Sequence, residues 1–130
     1  MLPGAVLSLQ DDRDLARLGL REPDLQAAAR MQGMAYARVG IRDFDEADMR
    51  RRLPEAVRNL ARLARGDAPV YLHCTAGVGR SALVAAGYVG WVYGREAERA
   101  LAEIQQRRPG AAPSRRALLG AQADLGAEDS

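Results

Sequence analysis

Apolar residues recur along the chain with two different periods, which predict strands that alternate with helices. Short apolar runs at residues 5–9 and 70–73 are typical of buried strands, and alternating positions predict a third strand at 34–41. Helical spacing and capping signals predict helices over residues 11–18, 24–31, 48–64, 80–93, 95–107 and 114–121. This order favours an α/β sandwich with its reactive loop at the carboxyl end of a strand.

The segment that joins the strand at 70–73 to the helix at residue 80 contains the only histidine and the only cysteine of the chain. It consists of His73, Cys74, Thr75, Ala76, Gly77, Val78, Gly79, Arg80 and Ser81. Its glycines allow the backbone to approach a ligand closely, and the unpaired N–H groups at a helix start favour an anion. An arginine at that point can bind two phosphate oxygens in parallel. The segment therefore predicts a cysteine nucleophile within a phosphate-binding loop.

Two other interpretations of this segment are possible. A lone cysteine is often a small buried apolar residue in an ordinary strand–turn–helix connection. A nucleotide-binding phosphate loop requires the pattern G-x-x-x-x-G-K-[ST], and the chain contains no lysine. The nucleotide-binding loop is therefore excluded.

A cysteine nucleophile that attacks phosphate needs a general acid for the leaving oxygen. His73 is adjacent to Cys74 within the strand end, so we interpret it as a structural and electrostatic support for the loop. Four carboxylates follow the strand at 34–41, namely Asp43, Asp45, Glu46 and Asp48. The last three can cap the next helix or occupy its first turn. Asp43, which is nearest to the strand end, is the best candidate for the acid.

The pattern formed by His73, Cys74, five further residues, Arg80 and Ser81 resembles the H-C-x5-R-[ST] signature of cysteine-dependent protein tyrosine and dual-specificity phosphatases. The resemblance implies a phosphocysteine intermediate at Cys74 and needs no metal or other cofactor. It implies phosphate binding by Arg80 and by the amides of residues 75–80. We also expect Ser81 to hydrogen-bond the sulfur and to help it leave when the phospho-enzyme breaks down.

A wider resemblance covers residues 5–120 and is carried mainly by residues 41–54 and by the stretch around Trp91. These stretches are similar to plant and algal glucan phosphatases, which dephosphorylate starch and are related to laforin. The resemblance implies that Asp43 is the acid and that Phe44 lines a glucan channel. It also implies a phosphatase-like sandwich with a short central sheet flanked by helices, from which the N-terminal strands of the family are absent.

The sequence leaves three functions open. The first is hydrolysis of phosphorylated α-glucan, such as starch or glycogen. The second is a dual-specificity protein phosphatase that acts on phosphotyrosine, phosphoserine and phosphothreonine, because Arg80 is followed by Ser81-Ala82 rather than by the Ala-Pro usual in the plant enzymes. The third is a non-catalytic scaffold that binds phosphate or glycan.

Length and composition limit the number of domains, the kinds of partner and the cellular compartment. The 130 residues predict a single catalytic domain over residues 1–125 and a disordered tail over 126–130. A net charge of +2 does not favour nucleic acid, and no apolar run is long enough to predict a membrane span. A single cysteine suits a reducing intracellular compartment. The resemblance implies a plastid if the source is a photosynthetic eukaryote, and the cytoplasm otherwise.

Overall fold

The computed structural model describes residues 4–66, 68–75 and 79–128. Its strands are β1 (Ala5–Ser8), β2 (Ala35–Arg38) and β3 (Val70–His73). Its helices are α1 (Asp12–Leu18), α2 (Glu22–Met31), α3 (Glu46–Leu63), α4 (Arg80–Val92), α5 (Ala97–Arg107) and α6 (Arg115–Glu128). The predicted α/β order of elements is confirmed.

The sheet is parallel, with β1 in the centre and the strand order β2-β1-β3. Ala5 of β1 is level with Ala35 on one side and with Val70 on the other. Because parallel strands end at the same edge of a sheet, the segments that follow β1, β2 and β3 meet there. This edge brings the predicted phosphate loop next to the predicted acid.

Helix α3 covers the sheet and contacts α4 and α6. Its apolar residues Met49, Leu53, Val57 and Leu60 are all buried, as their helical spacing predicts. Each such side chain contributes about 1.5–3 kcal/mol by leaving water. Gly87 lies where α4 passes α3, because a Cβ there would be 2.9 Å from Val57 Cγ2. Close packing of α3 and α4 therefore fixes the helix that begins at the phosphate loop.

The start of α3 differs from the prediction by two residues. Asp45 is its N-cap and accepts a hydrogen bond from the Asp48 backbone N–H at 3.0 Å, so the helix begins at Glu46. Pro54 lies inside this helix. The acid-bearing stretch ahead of the helix is thus shortened to a tight turn.

The predicted disordered tail at residues 126–130 is wrong for residues 126–128, because α6 continues through Glu128. The additional turns are held by Asp124, which accepts hydrogen bonds from Arg50 Nε at 2.7 Å and from Arg50 Nη2 at 2.6 Å. A pairing of residues so distant in sequence leaves no local signal. Residues 129–130 lie outside the described ranges. Within those ranges, the structure has no helix of the length and apolarity that a bilayer crossing requires.

Candidate active site

A cavity of about 300 Å³ opens at the carboxyl edge of the sheet. Its lining residues come from the predicted phosphate loop, from the turn before α3, from α3 itself and from the segment before α6, and they are Asp43, Phe44, Met49, Cys74, Gly79, Arg80 and Ala112. The fold therefore brings together four residues that the sequence singled out from two separate segments: Cys74, Arg80, Asp43 and Phe44.

Cys74 is the first residue after β3, and its side chain is buried. Ser81 lies in the first turn of α4, and its Oγ–H donates to Cys74 Sγ at 3.0 Å. The sulfur also lies close to the start of α4, where backbone N–H groups favour negative charge. This arrangement suits a thiolate nucleophile and a nearby hydroxyl that can stabilise the sulfur as it leaves.

Arg80 is only 1% exposed, and the nitrogens of its guanidinium have two different surroundings. Nη1 donates to Asp14 Oδ2 at 2.6 Å and to the Ile41 carbonyl at 2.9 Å. Nε lies 3.6 Å from Asp43 Oδ1, and Nη2 is buried with no hydrogen-bond partner among the described residues. A buried unpaired donor costs about 1–3 kcal/mol, so this side of the guanidinium is suited to receive an anionic ligand.

Asp14 is a site residue that the sequence analysis missed. It lies in the first turn of α1, is 2% exposed and forms a reciprocal capping box with Asp11. Burial alone would raise the pKa of Asp14. The hydrogen bond from Arg80, that from the Asp11 backbone N–H and the charge of Arg80 outweigh burial and lower the pKa to about 2. Asp14 is therefore an ionised partner for Arg80.

No local sequence signal could have revealed this role of Asp14. An acidic residue in the first turn of a helix is ordinarily explained by capping and by the helix dipole, both of which are present here. The ion pair with Arg80 spans 66 positions of sequence. Only the parallel sheet, which brings the ends of β1 and β3 side by side, makes the contact possible.

The candidate acid Asp43 is partly exposed on the turn before α3, and its Oδ1 accepts a hydrogen bond from the Phe44 N–H at 3.2 Å. The neighbouring carboxylates have structural roles. Asp45 caps α3, and Asp48 accepts a hydrogen bond from the Arg42 N–H at 2.7 Å. Burial would raise the pKa of Asp48, but that bond and its pairing with Arg51 lower it. Among these carboxylates, Asp43 is the one that lines the cavity with Cys74.

Phe44 has an unusual conformation for a large apolar residue. Its side chain is 95% exposed and its φ is 58°, in the left-handed region that non-glycine residues seldom occupy. Neither burial nor backbone preference accounts for a phenylalanine at this position. An exposed aromatic ring beside the candidate acid is instead suited to contact a substrate.

The remaining predicted residues are placed as follows. The backbone of His73 pairs with β1, with its carbonyl accepting from the Leu9 N–H at 2.7 Å, while its side chain is exposed. Thr75 Oγ1 lies 3.5 Å from Gln10 Nε2, and Gly79 is the N-cap of α4. Ala76, Gly77 and Val78 lie outside the described residues. The roles assigned to these residues in phosphate binding and loop support stay predictions.

The catalytic domain of dual-specificity phosphatases matches residues 16–121. The chain belongs to this family. The phosphoglucan phosphatase DSP4, amyloplastic, of Castanea sativa is 34% identical over 122 residues, covering 92% of this chain and 32% of that protein. Laforin of Mus musculus is 28% identical over 125 residues, covering 96% of this chain and 32% of that protein.

Solved structures agree on the fold. Tk-PTP in its active form is similar with a TM-score of 0.73 at 24% identity, covering 94% of this chain and 78% of that one. The human tyrosine phosphatase-like serine/threonine/tyrosine-interacting protein also gives 0.73, at 17% identity, covering 99% of this chain and 80% of that one. The predicted family, its kinship with glucan phosphatases and the predicted fold are confirmed. The chain spans about a third of the length of the curated relatives named above.

Proposed function

We propose that this chain is a cysteine-dependent phosphatase domain that hydrolyses phosphomonoesters of α-glucan through a phosphocysteine intermediate. The observation that carries the proposal is the buried guanidinium of Arg80, whose Nη2 has no partner among the described residues, in a cavity shared with Cys74 and Asp43. A buried cationic donor beside a nucleophile and an acid matches the needs of phosphoryl transfer from an ester.

In the first step, the Cys74 thiolate attacks phosphorus while the bond from phosphorus to the substrate oxygen breaks. Asp43 gives its proton to that oxygen, so that the product leaves as an alcohol. Nε and Nη2 of Arg80 hold two equatorial oxygens of the phosphoryl group, on which charge develops. The products of this step are phosphocysteine and the dephosphorylated alcohol.

In the second step, water attacks the phosphorus and the bond between sulfur and phosphorus breaks. The carboxylate of Asp43 takes a proton from the water, which restores the acid. The Ser81 hydroxyl, 3.0 Å from Cys74 Sγ, stabilises the departing thiolate. Inorganic phosphate is released, and the reaction needs no redox partner or metal in this scheme.

The glucan substrate is supported by Phe44 and by the names of relatives. The exposed Phe44 ring adjoins Asp43, where a sugar ring carrying the phosphate can pack against its face. Two relatives are named phosphoglucan phosphatases, one amyloplastic and the other chloroplastic in Arabidopsis thaliana. For a photosynthetic source, these names also support a plastid location.

The deciding experiment measures phosphate release from phosphorylated starch, from phosphopeptides and from a small aryl phosphate. Release from starch supports the proposal. Turnover of peptides without release from starch would replace it with a dual-specificity protein phosphatase. If none of the three substrates is hydrolysed but phosphate or glucan is still bound, the scaffold function would remain.

Replacement of the nucleophile by Cys74→Ser is expected to lower aryl phosphate turnover by at least about 10⁴-fold, on the scale seen when other covalent enzymes lose their nucleophile. The variant keeps Arg80 and should still bind tungstate, an oxyanion that mimics phosphate. Turnover in Cys74→Ser close to that of the wild type would contradict the phosphocysteine mechanism.

A further inference from the structure

We propose that Asp14 is a positioning residue that holds Arg80 in the orientation needed for two-point binding of an oxyanion. The inference rests on the proposed function, because the oxyanion concerned is the phosphoryl group being transferred. Asp14 itself does not touch the substrate in this proposal. It acts only through the guanidinium of Arg80.

The hydrogen bonds of Arg80 define which of its edges is free. Nη1 carries two N–H groups, and the structure provides two close acceptors for it, Asp14 Oδ2 and the Ile41 carbonyl. The Leu9 carbonyl lies farther away, at 3.5 Å. Since a guanidinium is planar, fixing Nη1 also fixes the direction of Nε and Nη2. The fork formed by Nε and Nη2 is then available to an anion.

Charge explains why a carboxylate is needed at this position. A buried arginine without a counter-charge is strongly unfavourable. Asp43 is also near, at 3.6 Å from Nε, but the proposed reaction requires Asp43 to carry a proton when it acts as the acid. Asp14 is the partner that stays ionised throughout, in keeping with its lowered pKa.

Asp14 is itself held in place by the N-cap of its own helix. Its Oδ2 accepts a second hydrogen bond from the Asp11 backbone N–H at 2.9 Å, and its own N–H donates to Asp11 Oδ1 at 3.0 Å. The carboxylate is therefore fixed to the start of α1 before any ligand arrives. Such preorganisation lets an active site bind a developing charge without rearrangement.

The test compares the wild type with Asp14→Asn, and the matched control is Asp12→Asn. Asp12 lies on the same helix, is 92% exposed and pairs with Arg38 at 3.0 Å, away from the cavity. Three properties of each protein are measured. They are the affinity for tungstate by calorimetry, kcat and KM with an aryl phosphate, and the rate at which iodoacetamide alkylates Cys74. Thermal melting followed by circular dichroism shows whether each variant is folded.

We expect Asp14→Asn to weaken tungstate binding and to lower kcat/KM by about tenfold or more, the scale of a lost charge-assisted contact. Alkylation of Cys74 should change little, because the sulfur and Ser81 are untouched. Asp14→Glu keeps the charge but has a longer side chain, and it should recover much of the loss while remaining about threefold weaker than the wild type. Asp12→Asn should match the wild type in every measurement.

A folded Asp14→Asn protein that binds tungstate as tightly as the wild type would overturn the inference. If Asp14→Asn does not fold, the smaller neutral variant Asp14→Ser is measured in its place, and wild-type tungstate affinity in that variant would likewise overturn the inference. The proposed function fails separately, when the wild type hydrolyses none of the phosphate esters. The tungstate measurement still tests the role of Asp14 in that case, because it does not depend on turnover.

Discussion

The floor and the rim of the cavity are built in opposite ways. The floor consists of Cys74, Arg80 and Ser81, which are buried and held by contacts from several elements. The rim is the turn that carries Asp43 and Phe44, with the Phe44 ring almost wholly exposed. The nucleophile and the arginine that binds phosphate are thus located in the core, whereas the proposed acid and the residue suited to contact the rest of the substrate lie on a turn that packs little. Substitutions at the rim should change the choice of substrate more than stability.

The largest effect that separates the two regions is expected from Asp43→Asn, which removes the acid while keeping the shape of the rim. Turnover of sugar phosphates should fall by about 10²–10⁴-fold, the usual contribution of a positioned general acid. Turnover of a nitrophenyl phosphate should fall much less, because that leaving group needs no proton. Steady-state kinetics with both substrates measures the difference.

Asp45→Asn is the matched control for Asp43→Asn. Asparagine caps a helix about as well as aspartate, so the N-cap of α3 should persist and turnover should stay near the wild-type value. If Asp45→Asn is the damaging substitution and Asp43→Asn is harmless, the assignment of the acid is wrong.

A smaller effect, expected where Asp14 pairs with Arg80 at the floor, is a dependence of the free energy of unfolding on acid pH. The pKa of Asp14 is about 2 in the folded protein and about 3.8 ordinarily, so its ionised form stabilises the fold above pH 4. This contribution, about 2 kcal/mol, should disappear as the pH falls from 4 to 2. Urea unfolding of the wild type and of Asp14→Asn at pH 5 and pH 2.5 measures it, with the difference between the two proteins shrinking at the lower pH.

The exposed ion pair of Arg50 with Asp124 serves as the control for the loss of unfolding free energy in Asp14→Asn. The hydrogen bond from Arg50 lowers the pKa of Asp124 too, but water and salt screen a pair at the surface. Asp124→Asn should therefore change the free energy of unfolding less than Asp14→Asn does, and the change should shrink in high salt. An equal loss from both variants would remove the distinction between buried and exposed pairs.

The smallest expected effect belongs to Phe44→Gly at the rim. Glycine adopts a φ of 58° without strain, so the variant should be more stable by about 1 kcal/mol in urea unfolding. Glucan turnover should fall by about two- to tenfold, the scale of one aromatic contact, and aryl phosphate turnover should persist.

Met31→Ala provides the control, since Met31 is an apolar side chain that is 87% exposed at the end of α2, outside the residues that line the cavity. It should leave both activities unchanged. A Phe44→Gly protein with full glucan turnover would remove Phe44 from the proposed substrate surface.

Parts of the molecule with local signals could be predicted from the sequence. Cys74, Arg80 and Ser81 lie within one short segment, and Asp43 lies a few residues after β2, so both segments can be recognised from the sequence. Apolar periodicity placed the three strands and the six helices, apart from their ends. In each case the residues that determine the structure are neighbours in sequence.

The parts that escaped prediction depend on pairings between distant residues. Asp14 contacts Arg80 across 66 positions, and Arg50 holds the last turns of α6 through Asp124 across 74 positions. The left-handed backbone of Phe44 was equally hidden, because the residue type gives no warning of it. Residue patterns describe local preference, whereas these features arise only when the elements pack.

Arg80 joins the ends of all three strands, and this has a consequence for how the chain acquires its site. Its side chain reaches Leu9, Asp14 and Ile41, which precede it by 71, 66 and 39 positions. Closing loops of that length costs entropy, and such contacts are slow to form. A chain with every helix formed but its sheet unassembled would have no oxyanion site, so oxyanion binding can serve as a reporter of complete folding.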